Sequence, residues 1–443
     1  MSTKNLKRFI AVGSSLLVTA AWAAGCSKQP DASVLPKVDV PQSPVTFKVA
    51  SSRTKEGFEE VTKAVKAKFP NVTLEYMASY KLNEKTLKDL IAAGDVPDLI
   101  DEATTNTPIL LDFDFPLDLE PLVKKYNVNI SHIDPQTIES IRAYNGKLFM
   151  IPTNLTPPMA LFYNKDIFDR FGVPYPKVGN TWDDLMERAK KLSRTDNGVN
   201  YLGLSTGTNI NRMATQLSLT YVNPTTGRAA IAANEGWKKM FETWKQIYEI
   251  SGNYPNGTKF GSGINYFLKD KNLAMLPHFL FLADDKQFAD AVKSGLNWGV
   301  TTFPAFKEAL GIGPSGISGG FMITKSNKHP DLAFQVIMTM VSDEAQIDLA
   351  KTGMMPSVTK AELRNSIHKD SATVGQVPKD VLAAIYNTKE AKPYSRSRYD
   401  SASINIVSKY MTEYIEGKSD LNTTFRKAEE EINKLIDQDK NNK

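Results

Sequence analysis

The sequence is poor in the residues on which several classes of protein depend. Among its 443 residues there is one cysteine, Cys26, which excludes an internal disulfide and any zinc site built on several thiolates. The four histidines, His132, His278, His329 and His368, are scattered without HExxH or comparable spacing, so neither a metal nor a cofactor is expected. No apolar run reaches the ~20 residues that a membrane-spanning helix requires. Charge of one sign is also scarce. The formal +5 falls by three, to +2, once residues 1–25 are set aside, because they hold Lys4, Lys7 and Arg8 and no acid. The remaining charges are mixed along the chain, which excludes a phosphate-tracking basic stripe, and no nucleic-acid partner is expected. The loop from Gly311 to Gly320 lacks a following Lys-Ser/Thr, and Gly313-Pro314-Ser315-Gly316 has the wrong spacing for a nucleophile elbow.

What is present describes a globular chain with a leader. Hydrophobic residues at 41% and charged residues at 23% give the balance of a folded, soluble body, and the length allows two domains. The start is ordered as a charged segment, an apolar stretch from Phe9 to Trp22, and the small residues Ala23, Ala24 and Gly25 before Cys26. That is the layout of a secretory signal. A cut just before a cysteine resembles the lipobox of bacterial lipoproteins, with Ala23 where leucine is usual. Lipidation of Cys26 is preferred to plain secretion, and plain secretion to an incidental thiol. From Ser27 to Pro44 the chain is polar and broken by Pro30, Pro36, Pro41 and Pro44, which reads as a tether.

The folded body begins at Val45. Val45, Phe47 and Val49 alternate as in a strand; Phe58, Val61, Val65 and Phe69 recur at helical spacing; Val72, Leu74 and Tyr76 alternate again. A helical run through Leu87, Leu90 and Ile91 stops at Gly94 and leads into Leu99-Ile100. Alternating strands and helices predict a parallel sheet covered by helices. Thr181 with Asp184 three residues on predicts an N-cap for a helix burying Trp182, Leu185, Met186, Ala189 and Leu192. The stripe Trp237, Met240, Phe241, Trp244, Ile247 and Tyr248 reads as core rather than as a ligand platform. A last helix uses Leu421, Phe425, Ala428, Ile432 and Leu435.

The stretch from Gly146 to Leu192 carries Gly146-Lys147, Pro152, Tyr163-Asn164-Lys165-Asp166, Phe168, Gly172 and Thr181-Trp182. It resembles the segment shared by the bacterial family 1 extracellular solute-binding proteins, the capture subunits of ABC importers. Blocks from Leu273, Gly319 and Gly353, and the end from Gly417 to Ile436, resemble in order the later blocks of the maltose-binding relatives. The resemblance implies an α/β fold of two lobes, each a helix-covered, mostly parallel sheet, joined by a hinge. It places residues 45–151 plus 305–341 in one lobe and 152–304 plus 342–443 in the other, after a signal peptide at 1–25 and a tether at 26–44. Ile151-Pro152-Thr153 and Thr302-Phe303-Pro304 are the expected crossings, with proline limiting where each can bend.

By the same resemblance the ligand is a carbohydrate, an oligosaccharide first, held in the interlobe cleft of a monomer and passed to ABC permease subunits. A peptide or a polyol phosphate is the alternative solute. An anchored glycan-active enzyme is the minority reading, since Asp112-Phe113-Asp114, Asp118-Leu119-Glu120, Asp183-Asp184 and Asp284-Asp285 place carboxylates side by side instead of facing one bond. Matching to the relatives proposes ligand contacts from Ser52 and Arg53 after the first strand, with neighbouring Ser51, and from Glu102, Thr105 and Asn106 after the third. It adds Asn154, Asn209, Arg212, His278, Phe279, Phe281, Gly319, Gly320, Arg396 and Tyr399, the last two beside Tyr394 and Arg398. Each has a plainer alternative: helix capping at Ser52, a turn brace at Asn154, solvation at Asn209 and Arg212, core packing at Phe279 and Phe281. Phe281 stands where sugar-binding relatives have a tryptophan.

Overall fold

In the computed structural model, residues 42–77, 84–142, 146–206, 210–255, 263–364, 366–369, 371 and 373–441 are described. The alternation at Val45, Phe47 and Val49 becomes β1 (Val45–Ser51), which pairs in parallel with β2 (Val72–Met77) and β3 (Leu99–Ala103). The helix Lys55–Lys68 packs Phe58, Val61 and Val65 into the core, and its first turn is closed by Thr54, whose side chain accepts from the Gly57 N–H. β4 (Ile151–Leu155) completes the first passage through this sheet.

Beyond Thr156–Pro158 the chain builds a second sheet from β5 (Met159–Asn164), β6 (Arg194–Asp196), β7 (Val199–Leu204), β8 (Leu273–Phe279) and β9 (Trp298–Thr302) in the order β6-β7-β8-β5-β9. Leu161 enters one core of this lobe while Ala160 and Phe162 enter another, as the two-residue strand period requires. The helix Trp182–Leu192 buries the five residues expected of it behind a Thr181–Asp184 capping box, and the Trp237 to Ile247 stripe is core. β10 (Ile312–Gly313) leads back toward the first lobe. There β11 (Ser318–Ile323) slots between β3 and β4, and β12 (Met355–Pro356) adds the edge, giving β12-β4-β11-β3-β1-β2. β13 (Lys389–Glu390) pairs with β10.

The two-lobe α/β architecture stands, with two corrections. The sheets are mixed rather than mostly parallel: β11 runs antiparallel to β3 and β4, and β5 antiparallel to β8 and β9. β11 returns from the second lobe and so enters its sheet from the opposite end to β3 and β4, while β5 enters the second sheet from the first lobe and β9 runs back toward it. The lobe boundaries also move. Phe303 and Phe306 pack in the second lobe, whereas Leu349, Val358 and Leu363 lie in the core of the first, and Val374 returns to the second. The crossings therefore lie at Thr156–Pro158, between Phe306 and Ser318, and between Leu363 and Val374. Ile151–Thr153 is sheet, not hinge: Pro152 sits opposite Gly320. No helix among the described residues is long and apolar enough to cross a membrane.

Candidate functional site

The first lobe offers the carboxyl ends of β1 and β3 with the facing ends of β4 and β11. Here the Arg53 guanidinium donates from Nε to both Asp101 oxygens, at 2.8 and 3.1 Å, and from Nη2 to Asn154 Oδ1 at 2.7 Å. Ser51 Oγ donates to the same Asp101 carboxylate at 2.6 Å. Gly319 makes room for the arrangement, since a Cβ there would lie 2.6 Å from Arg53 Nη2 and 2.8 Å from Asn154 Oδ1. Arg53 is thus held in place and its charge neutralised, which leaves it a fixed donor rather than a free cation. Beside it the buried Glu102 accepts from Ala103 N at 2.7 Å and from Asn106 Nδ2 at 3.1 Å. Burial raises its carboxyl above the usual range, against the opposing pull of those bonds and of Ser52. Thr105 is half-buried in the intervening turn.

The second lobe contributes the end of β8. Phe279 and Phe281 stack with centroids 5.4 Å apart and planes 13° apart, and Phe281 is left 43% exposed. His278 closes on both rings, its Nδ1 is 3.3 Å from Phe279 O, and burial lowers its pKa. Arg212, from the helix Ile210–Gln216, lies with its guanidinium carbon 4.7 Å from the Phe279 centroid. Arg212, Phe279, the crossing Thr156–Pro158 and the segment Gly313–Ile317 line a narrow recess between the lobes.

Not every expected residue reaches this recess. Gly320 serves the sheet: a Cβ would stand 2.4 Å from Ile151 O, so only glycine lets β11 close on β4. Tyr399 donates to Asp439 at 2.7 Å. Its neighbour Arg398 reaches Asp112 at 2.9 Å, Glu84 at 3.2 Å and Asp439 at 3.3 Å, tying the second lobe to two helices of the first. Arg396 lies over the Tyr394 ring at 5.4 Å and repels Arg212 electrostatically. Asn209 and Cys26 lie outside the described residues. Sequence reasoning passed over Asp101, although it directly follows Leu99-Ile100 at a strand end. It also weighed Ser315 only as a nucleophile, whereas Ser315 lines the recess. No group of His, Cys, Asp and Glu among the described residues is arranged to hold a metal.

Two α/β lobes joined by repeated crossings, with fixed polar groups at the strand ends of one and stacked rings at a strand end of the other, give the architecture of a bilobal binding protein. The chain belongs to the bacterial extracellular solute-binding protein family, which it matches over residues 51–347. It is 27% identical over 217 residues to an uncharacterized ABC transporter extracellular-binding protein of Pyrococcus horikoshii, a match spanning 45% of each chain. It is 24% identical over 286 residues to the sn-glycerol-3-phosphate-binding periplasmic protein of Brucella abortus, covering 59% of this chain and 57% of that one. Among solved structures, the ABC substrate-binding protein of Listeria monocytogenes in complex with cycloalternan superposes with a TM-score of 0.72 at 18% identity, over 89% of this chain and 99% of that one. The sugar-binding protein MalE of Xanthomonas citri gives 0.70 at 16% identity, over 89% and 98%.

Proposed function

We propose that this extracellular solute-binding protein captures a carbohydrate, an oligosaccharide, in the interlobe cleft and delivers it to an ABC importer without transforming it. The observation that carries the reading is the Phe279–Phe281 pair, one ring exposed, together with polar groups of the first lobe already fixed by a hydrogen-bond network. A sugar needs both: its C–H face covers an aromatic ring while its hydroxyls take up oriented donors and acceptors, because a buried hydroxyl left unpaired is costly. The cycloalternan complex and the Xanthomonas sugar-binding protein of the same fold support it. Calorimetry of the purified protein against oligosaccharides of graded length tests it. Micromolar binding, worth about 8 kcal/mol, is expected for at least one, and Phe281→Ala should weaken it about tenfold by removing a stacking face. A folded protein that binds no saccharide in the panel, or one that steadily releases cleaved product, refutes the reading.

Lipid at Cys26 would hold the receptor beside its permease. Each buried CH₂ of an acyl chain contributes ~0.8 kcal/mol, so two chains anchor stably. Cys26→Ser is expected to shed the protein into the medium; retention on the membrane with no lipid detected by mass spectrometry removes the anchor.

A further inference from the structure

Arg53, Arg212 and Arg398 are largely buried, and they are treated differently. Arg53 is paired with the Asp101 carboxylate, and Arg398 with the carboxylates of Asp112, Glu84 and Asp439. Arg212 is 8% exposed, and among the described residues its guanidinium makes neither a hydrogen bond nor an ion pair; its Nε is sealed from solvent without a partner. What surrounds it is one face of Phe279, the like charge of Arg396, and the phenols of Tyr221 and Tyr394. Burial and Arg396 bring it down only to about 10, so it stays charged at neutral pH. A cation taken out of water without a counter-charge is disfavoured, and the second guanidinium adds to the positive potential.

The recess that Arg212 lines holds a second orphan. Ser315 is 4% exposed, and among the described residues its Oγ also has no hydrogen-bond partner. The carboxyl lining the same recess, Glu390, takes the Gly316 N–H at 2.8 Å and forms no ion pair with Arg212. Neutral hydroxyls would satisfy the hydrogen bonds of Arg212 but leave its charge uncompensated. A carboxylate or phosphate does both, and its paired oxygens match the in-plane fork of a guanidinium whose face is already covered by Phe279.

We infer that Arg212 and Ser315 Oγ form an anion subsite in the interlobe recess, and that the solute is an acidic saccharide presenting a carboxylate or phosphate to them. This rests on the carbohydrate-capture reading and narrows it. The test is calorimetry with matched probes: a neutral disaccharide against the same disaccharide ending in a uronic acid, and glucose against glucose 6-phosphate. Thermal melting in phosphate or acetate, against chloride at equal ionic strength, adds a readout that needs no saccharide. At least one acidic probe should bind tenfold or more tighter than its neutral partner. Arg212→Gln should erase that preference and the anion-induced rise in melting temperature, while Arg212→Lys keeps part of both. Which acid wins identifies carboxylate or phosphate as the group read. Equal binding of acidic and neutral partners, no response to any anion, or a preference that survives in Arg212→Gln overturns the inference. A neutral oligosaccharide bound without acid preference leaves carbohydrate capture standing and removes only the subsite. Phosphate or acetate bound through Arg212 with no saccharide bound, neutral or acidic, keeps the subsite and removes carbohydrate capture.

Discussion

Asp400 shows how one side chain trades two electrostatic preferences. It opens the helix Asp400–Ile415, where the charged form is favoured by the exposed N–H groups of the first turn. Burial outweighs this and pushes its carboxyl from 3.8 up to about 6, against the lowering effects of the Ser397 backbone, Arg396 and Tyr394. A carboxyl with a raised folded pKa binds its proton more tightly in the fold than in the unfolded chain. Its effect is absent below pH 3.8, and stability falls as pH rises from there through about 6, by roughly 3 kcal/mol in all. Asp400→Asn should therefore be the more stable protein at pH 7, with the gap closing toward pH 4. Urea denaturation of both proteins across this range checks it, and a constant difference would count against the buried-carboxyl account. None of this is visible from sequence, because the burial that raises Asp400 arises only when its helix packs in the second lobe.

At the scale of elements, the paired glycines of β11 do different work despite being neighbours. A Cβ on Gly320 meets backbone, Ile151 O at 2.4 Å and Pro152 Cα at 2.8 Å, which can move only if β11 and β4 separate. A Cβ on Gly319 meets the ends of two side chains, Arg53 and Asn154, which can swing away. Gly320→Ala is accordingly expected to cost about 1–3 kcal/mol of stability, as overpacking does, and Gly319→Ala much less. Ligand affinity should show the reverse order of sensitivity per unit of stability lost, because Gly319→Ala displaces the Arg53–Asn154 bond. Denaturant melts and calorimetry on the two variants separate these effects. Equal destabilisation by both would contradict the distinction. Local patterns had marked the elements well: the Thr181–Asp184 capping box and the Trp237 to Ile247 stripe formed where their spacing places them. Sheet membership was not legible, because alternation says that a segment is a strand and not which edge it joins.

For the whole molecule, one contact that spans the lobes away from the recess is made by Arg398. It is 10% exposed and joins Glu84 and Asp112 of the first lobe to Asp439 on the terminal helix Leu421–Asn441. Removing it leaves carboxylates facing one another across the lobe junction, which favours their separation. Arg398→Ala should raise the radius of gyration of the ligand-free protein in small-angle scattering. Its apparent affinity should fall as well, since part of the binding energy then goes into closing the lobes. High salt should narrow the difference by screening the partly exposed carboxylates. Scattering curves that coincide for variant and wild type would show that this clasp does not govern the spacing of the lobes.

The sequence by itself determined the family, the two-lobe α/β class and the positions of the first three strands and of five helices, and it proposed a list of site candidates that included Arg53, Asn154, Arg212, Phe279 and Phe281. Those features are local: periodicity, caps and ordered motif blocks are carried by residues within a few positions of one another. Tertiary structure decided what each arginine does. Arg53 meets Asp101 48 positions away, Arg398 meets Glu84 314 positions away, and Arg212 meets no acid among the described residues. The reason is that charge pairing and desolvation depend on distance and burial in space, and three arginines alike in sequence acquire those only when the chain has crossed between its lobes.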